Sequence, residues 1–383
     1  MNFDAVVIGL GAVGSATAWQ LARRGARVLG IDRFAPPHAL GSSHGHSRIT
    51  RLAVGEGAEY VPLVRRSHEI WRELEAALGD ELMLRTGGLM MDSAAARGEL
   101  HGQDDFIGST IAIARRFGIA HELLDAARIA QRFPQFALRG DERGYFEPDA
   151  GVLRPERCIA AQLAMARRAG AVLRTGEAVL DLAADGDAVA VKTAGATWRA
   201  AQAVVCAGNW LPALVGGAFA ARLQVQRQTL HWFRAEQPVH YAPVRFPIFL
   251  WLHGPRPEDA FYGFPMADEV PGVKVATQQY TAKTTPDAMV REVARDESLV
   301  MHGRHVRGRL RGVLADPVHA AACAYTVAPQ SRFLIDRHPR VERALVVSAC
   351  SGHGFKHSAA LGEAVAETLL RGRPAIDLAP FRL

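Results

Sequence analysis

The stretch Ala5-Val6-Val7-Ile8-Gly9-Leu10-Gly11-Ala12-Val13-Gly14 decides the fold class. A short apolar run gives way to three spaced glycines, residues 15–24 continue with helical spacing, and residues 27–31 turn apolar again. That order predicts strand, tight turn, helix and second strand. The lack of side chains at Gly9, Gly11 and Gly14 lets backbone approach a pyrophosphate, while the helix start offers free N–H groups and a partial positive charge. Asp32 closes the second strand, where a carboxylate can accept hydrogen bonds from a ribose. A dinucleotide site is implied, without a choice between nicotinamide and flavin.

Further along, Val204-Val205-Cys206-Ala207-Gly208-Asn209-Trp210 reads as an apolar strand ending in Ala-Gly, and resembles the returning segment of FAD-binding folds. Between residues 223 and 275 the texture changes to β-rich segments with proline and aromatics, which predicts a separate antiparallel sheet. Doubly wound character returns with a buried strand at 345–348, a turn at 351–354 and a helix over 355–370. The expected fold is α/β, α+β overall: a Rossmann-like cofactor domain with an inserted antiparallel-sheet substrate domain. The cofactor domain is expected from 1–85, 145–215 and 320–383, and the substrate domain from 86–144 and 216–319.

With 383 residues, 49% hydrophobic and 22% charged, the chain reads as two globular domains rather than disorder. Its net charge of +6 comes from 45 Lys+Arg dispersed among 39 Asp+Glu. The one dense basic patch, 302–311, lacks the interleaved aromatics that stack bases, so it is read as a solvated face and nucleic acid is not expected as a partner. Four cysteines, Cys158, Cys206, Cys323 and Cys350, show neither a CxxC pair nor metal-ligand spacing. The start Met1-Asn2-Phe3-Asp4 lacks signal-peptide character, and no apolar run reaches the ~20 residues that span a bilayer. A cytoplasmic protein with no metal and no membrane partner is expected.

Three further segments are specific: residues 36–51, from Pro36-Pro37-His38 through Gly41-Ser42-Ser43-His44-Gly45-His46-Ser47-Arg48-Ile49-Thr50-Arg51; then Cys323-Ala324-Tyr325-Thr326; and Ser351-Gly352-His353-Gly354-Phe355-Lys356. In this order and at these distances the chain resembles the monomeric sarcosine oxidase and N-methyltryptophan oxidase family over essentially its whole length. GEGAEYVPL at 55–63, FYGFP at 261–265 and DLAPFRL at 377–383 add to the likeness.

The resemblance implies FAD, held by Gly9, Gly11, Gly14, Asp32, Ser42, Ala207, Gly208, Gly352, Gly354, Phe355 and Lys356, and bonded through its 8α carbon to Cys323. Cys350 is the competing thiol. Backbone N–H groups around Gly354 to Lys356, with the dipole of the helix they open, would face the flavin's pyrimidine end. A substrate carboxylate would rest on Arg51 and Lys356 beside His353. Lys274 would activate O2, with Arg48, His44, Tyr325 and Tyr262 completing the catalytic set. The implied activity oxidises the C–N bond of an N-methyl or other secondary amino acid to an imine and reduces O2 to H2O2, in a monomer. Rivals are a cyclic imino-acid oxidase, a dehydrogenase with another acceptor, and a non-catalytic flavin-bound subunit. Four departures fall near the pocket: Gln278 replaces a histidine, Leu250 a methionine, and His46 and Ser47 an acid and a threonine.

Overall fold

The computed structural model describes residues 3–93 and 100–383, so the reading of Met1 and Asn2 falls outside the described residues. β1 (Phe3–Ile8), α1 (Ala12–Ala22) and β2 (Val28–Asp32) form the expected opening unit, with β1 and β2 parallel. The helix begins at Ala12 rather than at residue 15, which puts Gly14 inside its first turn. Gly14 fits there because α1 is buried on almost every side, where small residues allow close approach.

An eight-stranded sheet grows outward from β1. β1 lies between two parallel neighbours, Thr197–Val205 on one side and β2 on the other, and Val172–Thr175 continues parallel beyond β2. On its far side Thr197–Val205 is shared between two partners. Its first half pairs antiparallel with Ala188–Thr193 and its last residues pair parallel with Ala344–Ser348. The helices Pro155–Arg168 and Ser358–Arg371 pack with α1 over one face, burying Leu21, Ile159, Leu163, Leu361 and Val365.

A second eight-stranded sheet runs in the order Val313–Val327, Gln224–Ala235, Val273–Ala276, Ala260–Gly263, Ile248–Leu252, Gly88–Ser93, Glu142–Glu147 and Glu122–Asp125. It is antiparallel throughout except where Ile248–Leu252 meets Gly88–Ser93, a parallel pair. That exception arises because the two strands come from distant parts of the chain, with no hairpin joining them. The strands Glu142–Glu147 and Val313–Val327 cross positions 145 and 320, so they run through the expected domain borders.

The basic patch at 302–311 is a correction. Arg304, Arg307 and Arg311 are exposed, but His302, His305, Val306 and Leu310 are buried, and His302 Nε2 bonds the carbonyl of Val313. Its polar spacing hid a face that packs under the second sheet. No helix among the described residues is long and apolar enough to cross a membrane.

The packing of α1 on Ser358–Arg371 depends on Gly362, where a Cβ would stand 2.3 Å from Ala16 Cβ and 2.6 Å from Ala16 C. Both contacts lie on a helix held by the sheet, so neither gives way cheaply. Gly362→Val is expected to destabilise the fold by about 1–3 kcal/mol, the usual cost of overpacking. A lower thermal midpoint of the purified protein is the measurement that checks it.

Candidate active site

A cavity of about 400 Å³ opens at the C-terminal ends of β1 and β2, the end of a parallel sheet where ligands bind. Gly9 adopts φ +88°, and a Cβ there would lie 2.5 Å from the Cys206 carbonyl oxygen; a Cβ on Gly14 would lie 1.8 Å from Gly9 O. Only glycine closes this turn. Gly11 faces open space, with no atom within 4 Å of its would-be Cβ. α1 starts with no side-chain cap and no acid in its first turn, so its dipole is left for a ligand.

Asp32 lines the cavity, its Oδ2 accepting from Leu10 N at 2.7 Å and its Oδ1 from Phe34 N at 2.8 Å. Each oxygen keeps a further lone pair for a hydroxyl. Ala207 and Gly208 line the same cavity with Asn209, whose Oδ1 accepts from Ser42 Oγ at 2.7 Å and Thr326 Oγ1 at 3.1 Å. Asn209 Nδ2 is buried without a partner. An orphaned donor, an uncapped helix start and a glycine-floored opening together fit a dinucleotide.

A second cavity of about 130 Å³ shares Ala12, Val13, Ser42, Ser43, Ala349 and Cys350 with the first. Its wall brings together Arg48, Arg51, Tyr262, Tyr325, Gly352, His353, Gly354, Phe355 and Lys356, all expected from the sequence. Tyr262 and Tyr325 meet hydroxyl to hydroxyl at 3.4 Å, from strands of the second sheet with two others between them. Arg48 donates from Nη1 to Ser47 O and from Nη2 to Ser42 O, both at 2.8 Å.

At the far wall the charge is balanced by a residue that no motif had singled out, Glu56. Its Oε2 pairs with Arg51 Nη2 at 2.9 Å, its Oε1 lies 3.1 Å from His101 Nδ1, and Lys356 Nζ stands 4.0 Å away. Burial alone would raise the Glu56 carboxyl, yet Arg51, Lys356 and the His101 hydrogen bond hold it well below the usual carboxylate range. Lys356 is pushed down to about 8 by burial, against the pull of Glu56, and donates to His353 O at 2.7 Å. Burial pushes His353 down to about 3, and its Nε2 bonds Ser331 O at 2.8 Å.

Three expected residues stand behind these walls. Cys323 is buried, with Sγ 3.5 Å from Ser42 O and 3.7 Å from Arg48 Nη2; burial pushes its thiol up while Arg48 draws it down. Lys274 is buried too, and all three hydrogens of its ammonium have acceptors: Gly45 O at 2.6 Å, Ser47 Oγ at 2.9 Å and Ser47 O at 3.0 Å. Its cation lies 4.6 Å from the Phe264 ring centre and 5.1 Å from that of Trp232. Burial, with Arg48 nearby, pushes it down to about 7. His44 is buried with Nε2 unpartnered, pushed down to about 3 by burial and Arg48.

The start of the last helix differs from expectation. Residues Phe355–His357 form a 3-10 turn, the α-helix begins at Ser358, and the Gly354 N–H already donates to Cys350 O at 2.9 Å. Gly354 therefore braces the turn, and its amide is not free for a ligand. Of the departures, Leu250 and Gln278 do line the small cavity, and Ser47 bonds Lys274. Gln278 is joined there by His101, which comes from a segment with no recognisable motif. Only the isolated GEGAEYVPL likeness could have drawn attention to Glu56.

The chain is similar to known proteins over its whole length. The monomeric sarcosine oxidase of Streptomyces avermitilis is 37% identical, over 99% of this chain and 97% of its own. The N-methyl-L-tryptophan oxidase of Salmonella heidelberg is 34% identical, over 100% of this chain and 99% of its own. Among solved structures, the open form of NikD, described as an unusual amino acid oxidase essential for nikkomycin biosynthesis, superposes with a TM-score of 0.85 at 28% identity, covering 100% of this chain and 97% of that one. The model of a family described as FAD dependent oxidoreductase matches residues 4–368. With a dinucleotide cavity built as that chemistry requires, the chain belongs to the FAD-dependent oxidoreductase family.

Proposed function

We propose that this protein oxidises a small secondary or N-methyl amino acid at its C–N bond, giving an imine that water hydrolyses, with O2 becoming H2O2. The observation that carries this reading is the buried pair Arg51 and Lys356 on the wall of a cavity that shares six residues with the dinucleotide site. Bound FAD supplies the two-electron acceptor for the amine's C–H bond. The chain's own residues bind, orient and exclude water.

Arg51 can grip a carboxylate through two parallel donors and Lys356 adds a point charge, both in a setting where water cannot screen them. Tyr262, Tyr325, Leu250 and Phe264 form the apolar side, which leaves the amine end beside the wall shared with the larger cavity. At about 130 Å³ the space is that of a small organic ligand. Below about pH 7 Lys274 holds an ammonium beside Arg48, and a preorganised cation of that kind would stabilise negative charge developing on O2. Covalent attachment at Cys323 is supported by Arg48, which favours the thiolate that such a bond needs. The reading includes the division of cofactor and substrate segments given above, a monomer, and a cytoplasmic setting.

The test is a panel of secondary amino acids with H2O2 and O2 followed together. N-methyl and cyclic amino acids of small side chain should give stoichiometric peroxide, and Arg51→Met should raise KM by about 100-fold or more, as expected for losing a bidentate charged pair. Reduction of the bound flavin by none of these amines in the absence of air would overturn the reading.

The pH dependence follows from Lys356. It is protonated below about 8, so the affinity for an amine-free carboxylate such as acetate should be level below that pH and fall as pH rises through it. Competitive inhibition measured from pH 6 to 10 checks this, and Lys356→Met should remove the inflection. For the flavin bond, acid precipitation should carry the yellow colour down with the wild-type chain and with Cys350→Ser, and leave it in solution with Cys323→Ser.

A further inference from the structure

We infer that His101 is a specificity-determining residue of the substrate site, donating its Nδ1 proton to the carboxylate of the substrate, with Gln278 and Tyr280 holding the ring for that purpose. This rests on the carboxylate reading of Arg51 and Lys356 proposed above. It adds a third arm from a part of the chain that neither motif nor resemblance assigns.

The internal carboxylate of Glu56 marks where this cavity stabilises a carboxylate. Ranked by distance from it, Arg51 Nη2 stands at 2.9 Å, His101 Nδ1 at 3.1 Å, His353 Nδ1 at 3.9 Å and Lys356 Nζ at 4.0 Å. His101 is thus closer than two of the residues expected to hold the substrate. An ionised carboxylate only accepts, so Nδ1 carries the proton and donates. A ligand carboxylate entering the same ring of donors competes with Glu56 for that proton, because two like charges cannot share it.

The ring is built to stay in place. Its Nε2 meets the Gln278 side-chain amide, which lies 3.1 Å from Tyr280 OH; with the proton on Nδ1, Nε2 accepts, so the amide turns its NH2 group to the ring. Phe106 meets the ring edge-on at 6.1 Å, and His353 lies against it at 5.2 Å between centres. The side chain is 3% exposed, and His101 and Gln278 both line the cavity. The backbone of His101 sits at φ +54°, a region that costs a non-glycine residue free energy and persists where surrounding contacts over-determine it. Such a conformation is more than a core histidine needs. Gln278, the position where the family resemblance breaks, acquires a purpose: it turns an imidazole supplied by another segment toward the carboxylate.

The experiment titrates the flavin-loaded enzyme with acetate and with its neutral isostere acetamide, reading the change in visible flavin absorbance, and measures KM and kcat with the best amine. His101→Phe keeps the ring packing and removes the Nδ1 donor; His101→Gln keeps a donor and serves if the first variant fails to fold. His101→Phe should weaken acetate by about 10- to 100-fold, the size of one hydrogen bond to a charged group, and raise KM in parallel. Acetamide affinity should stay constant and kcat should hold within about twofold, while His101→Gln recovers part of the acetate affinity. Arg51→Met is the control. If Arg51→Met weakens acetate while His101→Phe and His101→Gln leave it as in the wild type, His101 has no such role. Equal loss of acetate and acetamide in His101→Phe overturns the inference as well, since it would mean a shape effect. If Arg51→Met itself leaves acetate unchanged, the carboxylate reading fails, and this inference falls with it.

Discussion

The antiparallel pairing of Val313–Val327 with Gln224–Ala235 ties the second sheet to the cofactor cavity, and the site depends on its register. Along it the buried amides of both strands find partners without water, which fixes the alignment of Cys323 with Gln228 and Tyr325 with Gln226. Successive side chains leave opposite faces of a strand, so Cys323 and Tyr325 point one way and Thr326 the other. Thr326 thereby reaches Asn209 in the large cavity while Tyr325 lines the small one beside Tyr262. A one-residue slip would exchange those faces and dismantle both cavities. Register shifts occur only toward the other end, after Trp232 and Phe233, away from this constraint.

The segment from Ser42 to Arg48 is fixed by charge rather than by regular structure. Glu156 accepts from Gly45 N at 2.7 Å and His46 N at 3.1 Å, while Lys274 donates to the carbonyls of Gly45 and Ser47. Opposite charges thus grip the two edges of the same peptide turn, and His46 is held at φ +66° as a result. Arg48 emerges from this turn with both of its bonded nitrogens committed to backbone oxygens, which aims the guanidinium at Cys323 and at the shared wall. A buried cation is costly unless its donors are met, and Lys274 has all three hydrogens met, two of them by backbone.

What was legible in the sequence was local. Gly9, Gly11, Gly14 and Asp32 announced the dinucleotide turn because glycine spacing after an apolar run has few other uses, and the wall from Arg48 to Lys356 came from contiguous motifs. The basic patch was misread because its apolar face, Val306 and Leu310 with two histidines, is too short to show a period. The start of the last helix was misplaced by one turn, since the strained Ser351 and Gly352 conformations that shape it have no sequence period. Glu56 and His101 stayed hidden for a different reason. Each acquires its role from partners far along the chain, His101 from Gln278 and Glu56 from Lys356, and long-range pairing leaves no local pattern.

Glu156 and Glu56, which hold the charges around the site, also differ in what they can give up. Glu156 is held by backbone amides of one turn, and burial, which would raise it, is outweighed by those amides and Arg48. Removing it would leave buried N–H groups unmet, so its position is structural. Glu56 is held instead by the side chains of Arg51, His101 and Lys356, all of which line the small cavity. Exchange for another carboxylate would leave Glu56 itself a buried charge without partners, so it stays in place beside any ligand those donors also meet. The difference between a carboxylate fixed by peptide and one fixed by side chains therefore separates the frame of the site from the wall that a ligand can touch.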